Sequence, residues 1–413
     1  MRVITKWRRL CLVSPLIVAA ACDQAVDRIT APGGERSFGA FRAASAISAS
    51  AVHVANVEQL YAAVNNSANA GVAIVLEPGT YTLSATNPLG AARPNFGRLE
   101  LQRDMSLYGV AGNRSGVVID ARGLPTSSFT VSFGRTAPVR IGRGQNTIEW
   151  LTILGPPTAA AGIATELTGT PTTRIRVAHV FSRGASRGVD VRNVGASMIG
   201  RRIEAEVIDN EFVGPTEIIG MAEGIRVSNF VGADNGVIVA TLSGNRTHGF
   251  QLGCILANNR SSNSSLTVRS SGDRFFGNAL GCLVAGGLSQ ATTGLANGNR
   301  TTFEAHGSQF VDNTASRDFP PGGVWVVGGL STVQTNVTSN NTVSVSLWGS
   351  KATGNLGENF EAVGAFMESL TGLAGTGNRI TIHLHGVAKQ TDVVATASLP
   401  PDPGNTNVVT IIR

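Results

Sequence analysis

The sequence predicts an all-β fold over residues 51–413, a right-handed parallel β-helix with a short N-terminal capping helix. Three observations carry the prediction: a glycine-rich, aromatic-poor composition and two recurring sequence frames. Fifty glycines and only 6% aromatic residues suit many short strands joined by tight turns rather than helices packed on aromatic side chains. The first frame is a glycine followed by alternating apolar residues, in Gly162-Ile163, Gly188-Val189-Asp190-Val191, Gly224-Ile225-Arg226-Val227, Gly253-Cys254-Ile255-Leu256, Gly281-Cys282-Leu283-Val284 and Gly323-Val324-Trp325-Val326. Its copies stand 26, 36, 29, 28 and 42 residues apart, the spacing of solenoid coils with loops of variable length. The second frame is Gly-x-x-Phe-x-x-Asn, at 272–278 and 307–313, with a decayed copy at 349–355. Alternating runs precede it, such as Leu266-Thr267-Val268-Arg269 and Ile380-Thr381-Ile382-His383, so every second residue faces a core.

At the N-terminus, Arg2, Lys6, Arg8 and Arg9 precede an apolar run at residues 10–21. A dozen residues are too few to span a bilayer as a helix and fit a signal-peptide core. These four cations account for most of the formal charge of +6; the remaining +2 excludes a basic, nucleic-acid-binding chain. The run ends Val18-Ala19-Ala20-Ala21-Cys22, which resembles the bacterial lipobox and implies a lipid on Cys22 and a place in the cell envelope, in the periplasm or at the outer membrane. The alternative is ordinary cleavage with Cys22 left as a thiol. Residues 22–50, rich in Ala, Ser, Gly and Arg without an apolar period, read as a flexible tether.

Asn56 caps a predicted helix with Gln59 at its third position, placing Val57, Leu60, Tyr61 and Val64 on one face as a lid over the first coil. Stacked coils repeat at about 4.8 Å, so equivalent positions form columns. Asn193, Asn229 and Asn258 make one, and Asn278, Asn313 and Asn355 another; both are read as structural amide ladders. Phe275 and Phe310, with Phe212, are expected to stack inside. Cys254 and Cys282 share an inward position on adjacent coils; a reduced stack is the favoured expectation, since a bridge needs a closer approach, and a disulfide is the alternative that an exported chain permits.

Residues 72–83, Val-Ala-Ile-Val-Leu-Glu-Pro-Gly-Thr-Tyr-Thr-Leu, resemble the entry strand of the pectin lyase-like right-handed β-helix family, and residues 99–120 and 146–153 resemble its next coils. The resemblance covers most of residues 51–390 and implies fold more than activity, because the architecture hosts lyases, hydrolases, epimerases and adhesins. The catalytic motifs of polygalacturonase-like and pectate-lyase-like members are absent. Asp209-Asn210-Glu211 followed by Glu223-Gly224-Ile225-Arg226 echoes alginate-lyase-like members, without their lysine.

Alternation turns Asp190, Arg192, Arg226, Ile255, Leu283 and Trp325 outward. A uronic-acid polymer on that face would meet Arg192 and Arg226, the candidate catalytic residues, while Asp190 and Glu223 are candidates for holding Ca2+. β-Elimination needs a neutralised carboxylate, a base and a donor to the leaving oxygen, which arginine with calcium supplies. Asp190, Glu206, Glu211 and Trp325 are the candidate polysaccharide contacts; six acidic residues fall between 204 and 223. The competing readings are surface ion pairs for the charges, and a covering loop at 286–300 for Trp325 and its apolar neighbours. A further outward column reads Thr241, Arg269, Glu304, Ser346, His383. The function expected is polysaccharide binding, with lyase cleavage as an extension; the alternative is a non-catalytic structural or adhesive surface lipoprotein.

Overall fold

A computed structural model describes residues 51–129, 137–155, 161–165, 172–195, 201–217, 221–289, 295–314, 322–331, 338–367, 375–386, 393–399 and 406–413. The predicted signal, Cys22 and the tether lie outside the described residues. The described residues wind through three sheets of twelve, ten and nine strands, and every strand pairing between their successive coils is parallel. One coil runs Arg202–Ile208 in the twelve-stranded sheet, Glu211–Val213 in the nine-stranded sheet and Glu223–Phe230 in the ten-stranded sheet. The next begins at Val237–Ser243, directly paired with the first. This is the predicted β-helix.

Inward positions of the first frame, among them Val189, Val191, Ile225, Val227, Leu256 and Val284, lie in one continuous core with Ile203, Ile238, Leu266 and Phe303. The predicted cap is present. Helix Val57–Asn65 starts at Asn56, whose side chain accepts from Gln59 N at 3.0 Å, while Gln59 Oε1 accepts from Ala55 N at 2.7 Å. Leu60, Tyr61 and Val64 are buried, closing the first coil.

Both predicted amide columns form. Asn193 donates to Asn229 at 3.4 Å, and Asn229 to Asn258 at 2.8 Å; Asn278 donates to Asn313 at 3.3 Å, and Asn313 to Asn355 at 3.0 Å. A third ladder, Asn299–Asn341–Asn378–Asn407, joins four coils just before strands of the long sheet. A fourth runs Asn210–Asn245–Asp273 in the turn that leaves the long sheet. That turn has left-handed backbone at the preceding residue, Asp209, Gly244 and Gly272 in turn, which explains the glycine of the second frame. Phe275 and Phe310 stack at 5.2 Å; Phe212 shares their column with Thr247 between.

Cys254 and Cys282 are disulfide-bonded, against the expected reduced stack. The expectation assumed uniform coil spacing; here the two Cα atoms stand 4.5 Å apart, inside the range a bridge accepts.

Asp273 is the charged member of an otherwise neutral ladder. Its Oδ1 accepts from Asn245 N and Nδ2, both at 2.8 Å, and its Oδ2 from Ser270 Oγ at 2.5 Å. Complete burial nevertheless pushes the carboxyl up to about 6. A folded-state value above the unfolded one gives stability that is present below about pH 4 and lost as pH rises through about 6. Asp273→Asn keeps the accepting oxygen and removes the charge. Thermal unfolding from pH 4 to 8 should show this variant more stable by on the order of 2 kcal/mol at pH 8, with the gain vanishing near pH 4.

Candidate functional site

The outward side of the ten-stranded sheet carries the predicted charged residues, and register brings four of them together. Parallel pairing of Arg187–Val194 with Glu223–Phe230 sets Asp190 beside Arg226 and Arg187 beside Glu223. Arg192 Nη2 lies 2.6 Å from Asp190 Oδ2, and Arg226 Nε lies 4.0 Å from Asp190 Oδ1. Glu223 Oε2 lies 2.8 Å from Arg187 Nε and 3.3 Å from Arg226 Nη1. The Phe230 ring is faced by the guanidinium groups of Arg226 at 4.7 Å, Arg192 at 5.3 Å and Arg260 at 5.5 Å.

These groups face outward from the coil and are nevertheless buried, Asp190 completely and Arg192 and Arg226 to 5% exposure. Burial pulls the Arg192 guanidinium down to about 10, helped by Arg226 and Arg187 and opposed by Asp190. Burial alone would raise the Glu223 carboxyl, but Arg226 and Arg187 outweigh it and hold it below its ordinary value. The Asp190–Arg226 pair, read from the sequence as a surface pair, is therefore interior, while Glu166, the partner expected for Arg192, lies outside the described residues. Calcium takes six to eight oxygens, whereas Asp190 and Glu223 lie within ion-pair distance of arginines, and no group of three or more His, Cys, Asp or Glu that could hold a metal occurs among the described residues.

The acidic run does not converge. Glu206 is on the twelve-stranded sheet, where Arg176 bridges it at 2.7 Å to Glu149 at 2.6 Å. Glu211 is on the nine-stranded sheet, 2.6 Å from Arg114 and 3.6 Å from His248. One coil passes through all three sheets within this stretch, so closeness in sequence becomes dispersal around the solenoid.

Trp325 is 5% exposed and meets Phe366 edge to face at 5.4 Å, in an apolar cluster with Ile255, Leu283 and Leu330. It offers no open stacking surface. The first residues of the expected covering loop instead continue strand Leu280–Ser289. Glu361, in register beside Trp325, was missed: its coil carries Asn359 where the first frame has glycine, so the frame is broken there. Its carboxyl, nine-tenths buried, is pushed up to about 7 by burial and then by Glu358.

The twelve-stranded sheet presents the open face. The column expected from the sequence is in register, Thr241–Arg269–Glu304–Ser346–His383. Beside it runs a hydroxyl column, Thr267–Thr302–Ser344–Thr381–Thr410. A third column places His306, Trp348 and His385 on successive coils. Trp348 is parallel to both rings, its centroid 3.6 Å from His385 and 6.0 Å from His306, and it is 44% exposed. Ring stacking between coils was expected of Phe275 and Phe310 in the core, not of this outward column.

The chain is a parallel β-helix protein with one sealed charged face and one open polar face. No protein-family model matches it, and no curated protein matches it. Solved structures similar to it include the A-modules of two Azotobacter vinelandii mannuronan C-5 epimerases. For the AlgE6 module the TM-score is 0.39 at 16% identity, over 84% of this chain and 95% of that one. For the AlgE4 module it is 0.39 at 15% identity, over 86% and 100%. The SRRP of L. reuters 100-23 aligns with a TM-score of 0.40 at 14% identity, over 87% and 98%. Likeness of this extent transfers neither substrate nor chemistry, and the fold rests on the strand pairings described above.

Two variants on the sealed face should move stability in opposite directions. Asp190→Ala leaves Arg192 and Arg226 buried without the carboxylate between them, and denaturant unfolding should show a loss of about 3–5 kcal/mol. The raised Glu361 value means stability present below about pH 4.5 and lost as pH rises through about 7, so Glu361→Gln should unfold at a higher temperature above pH 7 and be neutral near pH 4.

Proposed function

We propose that this chain is an exported β-helix protein of the cell envelope, lipid-anchored through Cys22, that binds polysaccharide along the twelve-stranded sheet without cleaving it. The observation that carries the reading is the open face itself: in-register hydroxyl and charged columns bordered by the half-exposed His306–Trp348–His385 ladder. Repeating hydroxyls at strand spacing suit the repeating hydroxyls of an extended sugar polymer, and an exposed aromatic edge supports contact with the apolar faces of sugar rings. The anchor rests on Ala19-Ala20-Ala21-Cys22 after an apolar run, and the tether would hold the binding face clear of the membrane.

Lyase chemistry is the less favoured reading because Arg192 and Arg226 are sealed and engaged with Asp190 and Glu223. A substrate carboxylate reaching them would first have to displace buried ion pairs.

Binding to a panel of neutral and uronate polysaccharides, with calcium or chelator, tests this directly, alongside the ultraviolet absorbance of unsaturated products. The expected result is binding to at least one polymer, weakened at least tenfold by Trp348→Ala in a chain of unchanged thermal stability, with no absorbance rise. Calcium-dependent absorbance abolished by Arg226→Ala would overturn the non-cleaving reading. Absence of binding across the panel would overturn polysaccharide recognition.

A further inference from the structure

The nine-stranded sheet carries a column of cations without counterions. Its strands Glu211–Val213, Arg246–His248, Arg274–Phe276, Gln309–Val311 and Lys351–Thr353 stack in register, with Phe212, Thr247, Phe275, Phe310 and Ala352 buried inside. Alternation turns the residue before each of these outward, so one column reads Glu211, Arg246, Arg274, Gln309 and Lys351 on successive coils. Arg246, Gln309 and Lys351 are exposed and Arg274 is half-buried. On the twelve-stranded sheet Arg174, Arg176 and Arg202 each meet a glutamate. Here, among the described residues, the side chains of Arg246, Arg274, Gln309 and Lys351 have no hydrogen-bond or ion-pair partner.

Register sets Arg246 directly beside Arg274, at a strand spacing of about 4.8 Å. Like charges in such a pair repel. Glu211, beside Arg246 on the preceding coil, already faces Arg114 at 2.6 Å and His248 at 3.6 Å. The Phe276 ring gathers both guanidinium groups, that of Arg274 at 4.4 Å and that of Arg246 at 5.7 Å from its centroid, and His248 stacks on the same ring at 4.8 Å. A guanidinium held by its flat side against a ring keeps its in-plane N–H groups for a ligand. Two such forks therefore stand side by side, in an arrangement whose repulsion an anion between them would relieve.

A carboxylate presents two oxygens in one plane and is matched by a single guanidinium. Two adjacent guanidinium groups match a group with three acceptor oxygens and up to two negative charges, which a terminal phosphate supplies. We propose that Arg246 and Arg274 form a binding site for a phosphate monoester, with Gln309 and Lys351 meeting polar groups of the molecule that carries it. Gln309 stands about 4.8 Å beyond Arg274 along the column and Lys351 about 9.6 Å. That reach belongs to a sugar or polyol phosphate rather than to phosphate alone. The site lies on a different sheet from the hydroxyl column of the open face and does not depend on polysaccharide binding there.

Isothermal titration calorimetry of the full chain in mild detergent at fixed ionic strength, with glucose-6-phosphate, inorganic phosphate and acetate as probes, tests the proposal. The expected result is saturable binding of glucose-6-phosphate at one site per chain, with inorganic phosphate severalfold weaker and acetate at least tenfold weaker. Arg246→Gln and Arg274→Gln should each weaken glucose-6-phosphate binding at least tenfold. Because the pair repels in the free protein, Arg246→Gln should keep or raise the melting temperature, so that its lost binding is not lost folding. Lys351→Gln should weaken glucose-6-phosphate and leave inorganic phosphate unchanged. Arg183→Gln, at an exposed position two coils before Arg246 on the same sheet, should leave both unchanged. Absence of saturable binding by either phosphate would overturn the proposal, as would acetate bound as tightly as phosphate. An equal loss of affinity in Arg183→Gln would also overturn it, by marking a diffuse effect of charge, and inorganic phosphate bound as tightly as the ester would overturn the assignment of an ester.

Discussion

In-register parallel stacking is the constraint from which the rest of this molecule follows. Once coils repeat at strand spacing, each residue has a counterpart directly above and below it, and whatever chemistry it carries is multiplied along the axis. An isolated buried asparagine leaves donors and acceptors without partners. A column of them satisfies each member through the next, as in Asn299–Asn341–Asn378–Asn407. The same rule stacks Phe275 on Phe310 and sets Trp348 parallel to His306 and His385. On the sealed face the neighbouring coil supplies the opposite charge, as Glu223 does for Arg187.

Register also separates two outward faces that look alike in sequence. Both alternate, and both carry Arg, Glu or Asp. On the ten-stranded sheet the outward row passes from a buried ion cluster through Ile255 and Leu283 to Trp325 and Glu361, all shielded from solvent. On the twelve-stranded sheet the outward row stays wet, with Arg269 and Glu304 about half exposed or somewhat less. Ion pairs on the first face are interior and their loss is costly; the Arg269–Glu304 pair on the second is screened and contributes little.

Local and periodic features were legible in the sequence. The Asn56–Gln59 cap, both predicted asparagine columns, the inward positions of the glycine frame and the column from Thr241 to His383 depend only on neighbours at fixed offsets or on coil repetition. Features that depend on how one coil distributes its residues around the axis were not. Glu206, Glu211 and Glu223 look like one acidic cluster in sequence and lie on three different sheets. Outward placement of Arg192 and Trp325 was legible, but their burial was not, since alternation tells which side of a sheet a residue occupies and nothing about what covers that side. Asn299, Asn341, Asn378 and Asn407 each stand one residue before a strand of the long sheet, a spacing visible in the sequence once the strands are aligned.

The central claim is that the open face of the twelve-stranded sheet meets the ligand and the covered face of the ten-stranded sheet does not. Hydroxyl-radical footprinting read by mass spectrometry, with and without a bound polysaccharide, compares the two in one experiment. The account predicts that Trp348 is oxidised in the free chain and protected in the complex, while Trp325 stays unreactive in both. Protection confined to the ten-stranded face, with Trp325 reactive in the free chain and Trp348 unchanged by ligand, would contradict it.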